Sequence, residues 1–314
     1  MTRLVFWAID YRVLVIWFAT LIVAVMTVPG FASTITLGLA LDRAASMGLI
    51  AVGLTVLLAA GQIDLSSGAV FAVSGIVAVV LQPNIGIWPA AGVGMLAGLV
   101  AGAINGFVVV GLGVNSLVAT LATLLAYRAI GHWITQSQPM SGMDIMLALA
   151  ISQVHWGMLT LRAALFLVLI LLLHLWLTYT VAGRNLIALG SSPETARTSG
   201  LRPGRMIILA FMGAGLLAGG AGVLQSLSVN TGSPVFGTDL TLLALTAVVV
   251  GGTRLEGGRA TALGTLGGVL TLVTLTTGME FASVPAYVQE VVTGMILLTL
   301  IVLDRFARPQ GAMT

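Results

Sequence analysis

Long apolar runs with few charges between them set the first constraint on this chain, and segments such as 164–177 and 242–250 offer no polar face to water. Only 7% of the 314 residues are charged and 58% are hydrophobic, whereas a soluble domain carries roughly 25% charged residues to cover its surface. Lipid is therefore the outer solvent. In hydrocarbon every backbone group must find its partner within the protein, which leaves helices or a closed barrel. Barrel strands alternate apolar and polar residues over about ten positions, and these runs do not alternate. The expected fold is an all-α polytopic membrane protein, with one transmembrane domain over 1–314.

A spanning helix needs about 20 residues. The apolar runs divide into ten candidates, near 13–28, 44–60, 65–82, 88–111, 114–135, 163–181, 206–228, 240–253, 260–278 and 286–303. The first lacks a small-residue cleavage pattern and is followed directly by another span, so it is read as retained rather than as a signal peptide. All 13 cationic residues are arginines. With the N-terminus inside, Arg3, Arg12, Arg184, Arg197, Arg202, Arg205, Arg254, Arg259, Arg305 and Arg308 fall on the cytoplasmic side. Only Arg43 and Arg162 fall outside, while Arg128 lies within a span. Ten against two is a strong positive-inside asymmetry, and it predicts that both termini are cytoplasmic. The same asymmetry accounts for the basic balance without a nucleic-acid partner.

Several chemistries are excluded. Without cysteine there is neither a disulfide framework nor a thiolate metal site. His132, His155 and His174 are far apart and lack helical spacing, so no histidine metal site is expected. A P-loop needs its lysine on the nucleotide phosphates, and this chain has no lysine. No acid, base and nucleophile cluster stands out, so the chain is expected to be no enzyme and to hold no cofactor.

Four features remain as candidate sites. The first is 61–68 (GQIDLSSG), where Gln62, Asp64, Ser66 and Ser67 sit between two apolar spans. Asp64 reads either as a cap on the following helix or as a polar group in a membrane path. Asn105, Asn115, Thr120 and Thr123 are uncharged polar residues in apolar context; they suit a hydroxylated solute or bonds between helices. Gly94, Gly98, Gly102 and Gly106 recur every four residues, a stripe that lets another backbone approach closely. Finally, 184–205 is a cytoplasmic segment in which Ser192, Pro193 and Glu194 read as N-cap, first-turn proline and early acid. Gly200 and Pro203 then stop the helix. A short helix with both start and stop signals suits docking of a soluble partner better than it suits a plain loop. Two weaker readings complete the pass. A short re-entrant or interfacial helix is expected over 145–151, with Trp156 at headgroup depth. The spacing G-x-x-x-L-x-x-G, shared by 61–68 and 251–258, hints at a two-half repeat.

Four stretches in order, ASMGLIAVGLTVLLAAGQIDLSSGAV, NGFVVVGLGVNSLVATLATLLAYRAI, TVAGRNLIALGSSPETARTSGL and LTAVVVGGTRLEGGRATALGTLGG, carry a pattern that runs from about Ala44 to Asp304. They resemble the membrane subunits of ribose- and galactose-type sugar ABC importers, the binding-protein-dependent transport inner-membrane component family. The resemblance implies a bacterial inner-membrane location and a second membrane subunit, either a copy or a paralogue. It also implies a cytoplasmic ATPase that uses ATP and a periplasmic sugar-binding protein. Contact with that ATPase would fall on Gly190, Ser192, Glu194, Ala196, Ser199 and Gly200. Three places depart from the family's usual pattern: Gln62 stands where a second glycine is common, Ser192 where asparagine is common, and Arg254 and Glu256 where small or polar residues are common. The expected function is passage of a monosaccharide or similar polyol-like solute. The alternatives are a branched-chain amino-acid permease of the broader family and an ion-coupled secondary transporter, which would bury more ionisable residues.

Overall fold

The computed structural model describes residues 2–306. The side chains of 2–12, 155–156, 300–301 and 303–306 lie outside the described set, and with them the expected roles of Arg3, Arg12, Trp156, Arg305 and Arg308. Helices run in the order α1 (Thr2–Thr27), α2 (Thr34–Ala59), α3 (Ser67–Val80), α4 (Gln82–Ile85), α5 (Ile87–Gly111), α6 (Ser116–Thr135) and α7 (Ile145–Ser152). They continue with α8 (Leu161–Tyr179), α9 (Val181–Ser191), α10 (Pro193–Thr198), α11 (Pro203–Ser228), α12 (Leu240–Val250), α13 (Ala262–Phe281) and α14 (Ala286–Phe306). Two small antiparallel ladders join β1 (Met140–Ser141) to β4 (Thr231–Gly232) and β2 (Val154–Trp156) to β3 (Leu159–Thr160).

Each expected span coincides with a helix, and six helices among the described residues are long and apolar enough to cross a bilayer. These six are α2, α5, α6, α8, α11 and α13. The second begins ten residues before the Ala44 boundary read from hydropathy. Ser33 caps it, its side chain accepting from Thr36 N, and the helix runs through Asp42 and Arg43. Those two charges end a hydropathy window but not a helix, because each has an ionic partner: Arg162 for Asp42 and Glu280 for Arg43. Arg43 is therefore inside a helix and not in the loop before it. By contrast, α12 is 11 residues long, about 16 Å at 1.5 Å per residue, so it cannot cross a core about 30 Å thick.

Burial identifies the centre. Of the apolar window in α2, 78% is buried, against 28% for α5 and 22% for α6. A helix that is apolar all round and buried all round is a core helix, and α2 is the one the others surround. Leu54, Leu57, Leu58 and Ile50 on α2 are fully buried. The outer helices keep lipid-facing side chains such as Phe107, Leu125 and Leu171 exposed.

α11 packs chiefly on α5, α3 and α2, and it does so at glycines. A Cβ added at Gly98 would lie 2.5 Å from the Gly215 carbonyl oxygen, and one at Gly102 2.2 Å from that of Phe211. Gly94 meets the Ser74 carbonyl of α3, and Gly106 the Cα of Ile208. Gly222 of α11 likewise lies against the Phe71 carbonyl. Gly92, two residues off this stripe, has nothing within 4 Å.

The contrast gives a test. Gly102→Ala should lower stability by about 1–3 kcal/mol through overpacking. Gly92→Ala should be neutral or raise it by up to about 1 kcal/mol through helix propensity. Thermal midpoints of the purified protein in one detergent separate the two outcomes.

Candidate functional site

Residues 61–66 leave α2 as irregular backbone, which in an apolar surround must find partners other than a helix ladder. Two hydroxyls of α6 supply them. Ile63 N donates to Ser116 Oγ at 3.2 Å and Leu65 N to Thr120 Oγ1 at 3.1 Å. Asp64, 1% exposed, accepts from Ser66 N (2.8 Å), Ser66 Oγ (2.7 Å) and Ser67 Oγ (3.0 Å). Asn105 of α5 donates to Ser66 Oγ at 2.8 Å, and Tyr127 donates to the Ala101 carbonyl beside it. The carboxylate thus sits at the N-terminal end of α3, where the helix dipole favours an anion. Of the polar residues singled out in sequence, Asp64, Ser66, Ser67, Asn105 and Thr120 meet in this one buried knot. Gln62 is half-buried beside it. Asn115 is exposed and caps α6 by accepting from Leu117 N. Thr123 bonds only the Thr120 carbonyl of its own helix.

The first turns of α3 and α12 face each other. Gly68 N donates to Thr241 Oγ1 at 2.7 Å, and a Cβ at Gly68 would lie 2.2 Å from the Gly237 carbonyl. From this meeting point α3 runs toward the ladder of β1 and β4, where Gly232 lies against Ile76 and Val79. α12 runs the other way, to the glycine loop after Val250.

Beside the meeting point lies a cavity of about 680 Å³, within the range of small-molecule sites. Ile35, Leu39, Ser152, Val154, Val229 and Gly237 contribute to its lining from helix ends and the connections between them. Its apolar wall includes Met47, Phe71, Phe236 and Leu240; its polar wall includes Asp42, Ser46, Thr160, Arg162, Gln225 and Ser228. Arg162 is 5% exposed and organises the polar wall. It pairs with Asp42 at 2.8 Å and donates to Gln225 Oε1 (2.9 Å), Ser46 Oγ (3.2 Å), the Asp42 carbonyl (3.1 Å) and Ser228 Oγ. Thr160 caps α8 through Ala163 N and donates to Asp42 Oδ1 at 2.7 Å, fixing the carboxylate from the other side. Among the charges that line this cavity, Arg162 is neutralised by Asp42, and Arg43 by Glu280. None of the candidate site residues read from sequence lines it. Phe71, one turn beyond Ser67, connects the two sites.

At the opposite end three loops meet at glycines. Gly190, near the end of α9, leaves no room for a Cβ: it would lie 2.0 Å from the Ala59 carbonyl and 2.7 Å from Gly258 N. A Cβ at Gly257 would lie 2.8 Å from the Cα and N of Gly61, and Gly258 N donates to the Ala59 carbonyl at 3.2 Å. Just beyond, Ser192 Oγ accepts from Thr195 N to start α10, and Gly200 ends it at φ +82° with Leu201 N donating to the Ala196 carbonyl. Ala196 is buried, whereas Glu194, Ser199 and Gly200 are exposed.

The Arg162 cluster is what sequence reading missed. Its members come from three distant segments, and in sequence Arg162 reads only as a charge outside the spans. The signal present was Gln225, an amide three residues from the end of a long apolar helix.

The family described as branched-chain amino acid transport system / permease component matches residues 36–301. The L-arabinose transport system permease protein AraH of Escherichia coli (strain K12) is 31% identical over 301 residues, 95% of this chain and 90% of that one. The ribose import permease protein RbsC of Bacillus subtilis (strain 168) is 31% identical over 290 residues, 92% and 90% of the two chains. The L-arabinose ABC transporter permease protein AraH of Azospirillum brasilense is 32% identical over 312 residues, covering 95% and 87%. No solved structure matches.

Asp64 provides a sharp local test. Asp64→Asn keeps a carbonyl oxygen for Ser66 and should be tolerated. Asp64→Leu strands a buried N–H and two hydroxyls, and should lower stability by about 1–3 kcal/mol or more. Melting of the two variants in matched detergent compares them directly.

Proposed function

The chain belongs to the branched-chain amino acid transport system / permease component family, and from that premise we propose that it is the membrane-spanning subunit of an ATP-binding cassette importer for a monosaccharide. The observation that carries the cargo class is likeness over 95% of the chain to permeases named for L-arabinose, together with likeness over 92% to one named for ribose. The family description mentions amino acids. The individual relatives favour sugars over that second reading.

In the proposed arrangement ten helical segments thread the inner membrane with both termini in the cytoplasm, α12 completing its passage through the irregular backbone that flanks it. The end carrying Arg184, Arg197, Arg202, Arg205, Arg254 and Arg259 faces inward, as positive-inside sorting requires. The cavity beside Arg162 then faces the periplasm, where a sugar-binding protein delivers its ligand. A separate ATPase uses ATP and engages 184–205 through the exposed face of α10. A second membrane subunit completes the complex. The chain itself performs no catalysis. Neutral walls support an uncharged cargo: the ion pairs cancel, and hydroxyls and an amide remain to meet a polyol.

Two measurements check this reading. L-Arabinose or D-ribose uptake by cells carrying the full transporter should disappear when the partner ATPase gene is deleted. Persistence of uptake there would refute an ATP-driven import function. Separately, Glu194→Trp changes only an exposed side chain, and Gly200→Val forces a side chain into φ +82°. Both should reduce ATPase co-purification while membrane insertion stays normal. Full recovery of the ATPase with both variants would remove 184–205 as the contact.

A further inference from the structure

A second cavity, of about 380 Å³, lies between α12, α13 and α14. Its polar groups are Asp239, Thr246, Thr276, Gln289, Glu290 and Thr293. Two residues line both this groove and the larger cavity: Leu243 of α12 and Thr276 of α13. α12 forms part of the wall of both, with Leu240 and Leu243 in the first and Leu242, Leu243 and Thr246 in the second. A helix of 11 residues flanked by irregular backbone is what a membrane protein tolerates only when those flanks are buried or face a water-filled space.

We propose that the two cavities are consecutive stations of one route along α12, with Leu243 and Thr276 as the constriction between them, and that the route passes a neutral polyol. This rests on the importer reading and assigns its path. The hydroxyls on the way are prepared to accept. Thr246 donates to the Leu242 carbonyl at 2.7 Å, Thr276 to that of Val273 at 3.2 Å, and Thr293 to that of Gln289 at 2.9 Å. Each proton is engaged within its own helix, and the oxygen lone pairs are left for a solute's O–H groups. Asp239 and Glu290 line the groove and no arginine does, so a phosphorylated or carboxylated sugar meets like charge there. Leu243 offers an apolar side chain there, against which a sugar's C–H face can pack.

The absence of cysteine gives a clean test. Thr276→Cys and Thr293→Cys, made singly in the assembled transporter, should react with a small, membrane-impermeant methanethiosulfonate. Reaction at Thr276→Cys should block uptake of L-arabinose or D-ribose, while Ala218→Cys, fully buried in α11, should not react and the unmodified chain should be indifferent. Leu243→Trp should still co-purify with the ATPase yet lose uptake. Uptake unchanged after complete modification of Thr276→Cys, no modification at either threonine position, or wild-type uptake by Leu243→Trp would each overturn the route. Failure of the unmodified transporter to take up either sugar with ATP present would instead overturn the sugar reading. Reagent access at Thr276→Cys and Thr293→Cys against Ala218→Cys would then decide the route alone.

Discussion

Within hydrocarbon an apolar side chain gains little by leaving lipid for protein, so helices in a bilayer are held by dispersion contacts and hydrogen bonds between them. Dispersion falls steeply with separation, and the closest approach available is backbone on backbone. This chain makes that approach at Gly98 against Gly215 and Gly219, at Gly102 against Phe211 and at Gly222 against Phe71. These contacts bind α5, α11 and α3 into one block, and α2 is buried against it. The same device recurs between α12 and α13, where Gly251 faces Gly264 and Gly268 faces the Ala247 carbonyl. The Asp64 knot and the cavity beside Arg162 are built against these blocks, with α6 and α8 supplying the remaining polar partners.

Such close packing permits what lipid otherwise forbids, a stretch of irregular backbone inside the bundle. Gly61 N and Gln62 N still bond the last carbonyls of α2, and beyond them Ser116, Thr120 and the Asp64 carboxylate accept from Ile63 N, Leu65 N and Ser66 N. A buried carboxylate is costly unless fully hydrogen-bonded. Asp64 has three donors and the N-terminal end of α3, which together account for its place without invoking a solute. The head-to-head meeting of α3 and α12 at Gly68 and Thr241 then follows, because both helices start inside the bundle rather than at its surface.

Much of this was legible in sequence, for identifiable reasons. Composition and run length gave the helical membrane fold, and local signals gave α10: Ser192, Pro193 and Gly200 mark its ends within a residue. The every-fourth glycines named a packing face because helical spacing is local information. Sequence also named Asp64, Ser66, Asn105 and Thr120 separately, but nothing in it said that they touch. The Arg162 cluster was invisible for a stronger reason. Asp42 and Arg162 lie 120 positions apart, and each lowers hydropathy just before a span expected to begin, near 44 and near 163, so pairing that extends α2 reads as a boundary. Cavity walls drawn from α2, α8, α11 and α12 are properties of the packed state, with no periodicity of their own.

The placement of α12 connects these observations. Its N-terminal end is tied to Gly68 and borders the cavity beside Arg162. Its C-terminal end leads into 251–258, which touches Gly61 and Gly190 at backbone distance. Gly190 is in turn separated from α10 by only Ser191 and Ser192. In a loosely packed contact, displacement of α10 would be absorbed by side-chain rearrangement. Here there are no side chains to absorb it: Gly190, Gly257 and Gly61 meet main chain to main chain, and packed interiors transmit strain because they have few voids. On the importer reading, a push delivered to α10 therefore reaches α12 through a contact with little slack. It arrives at the short helix that borders both cavities.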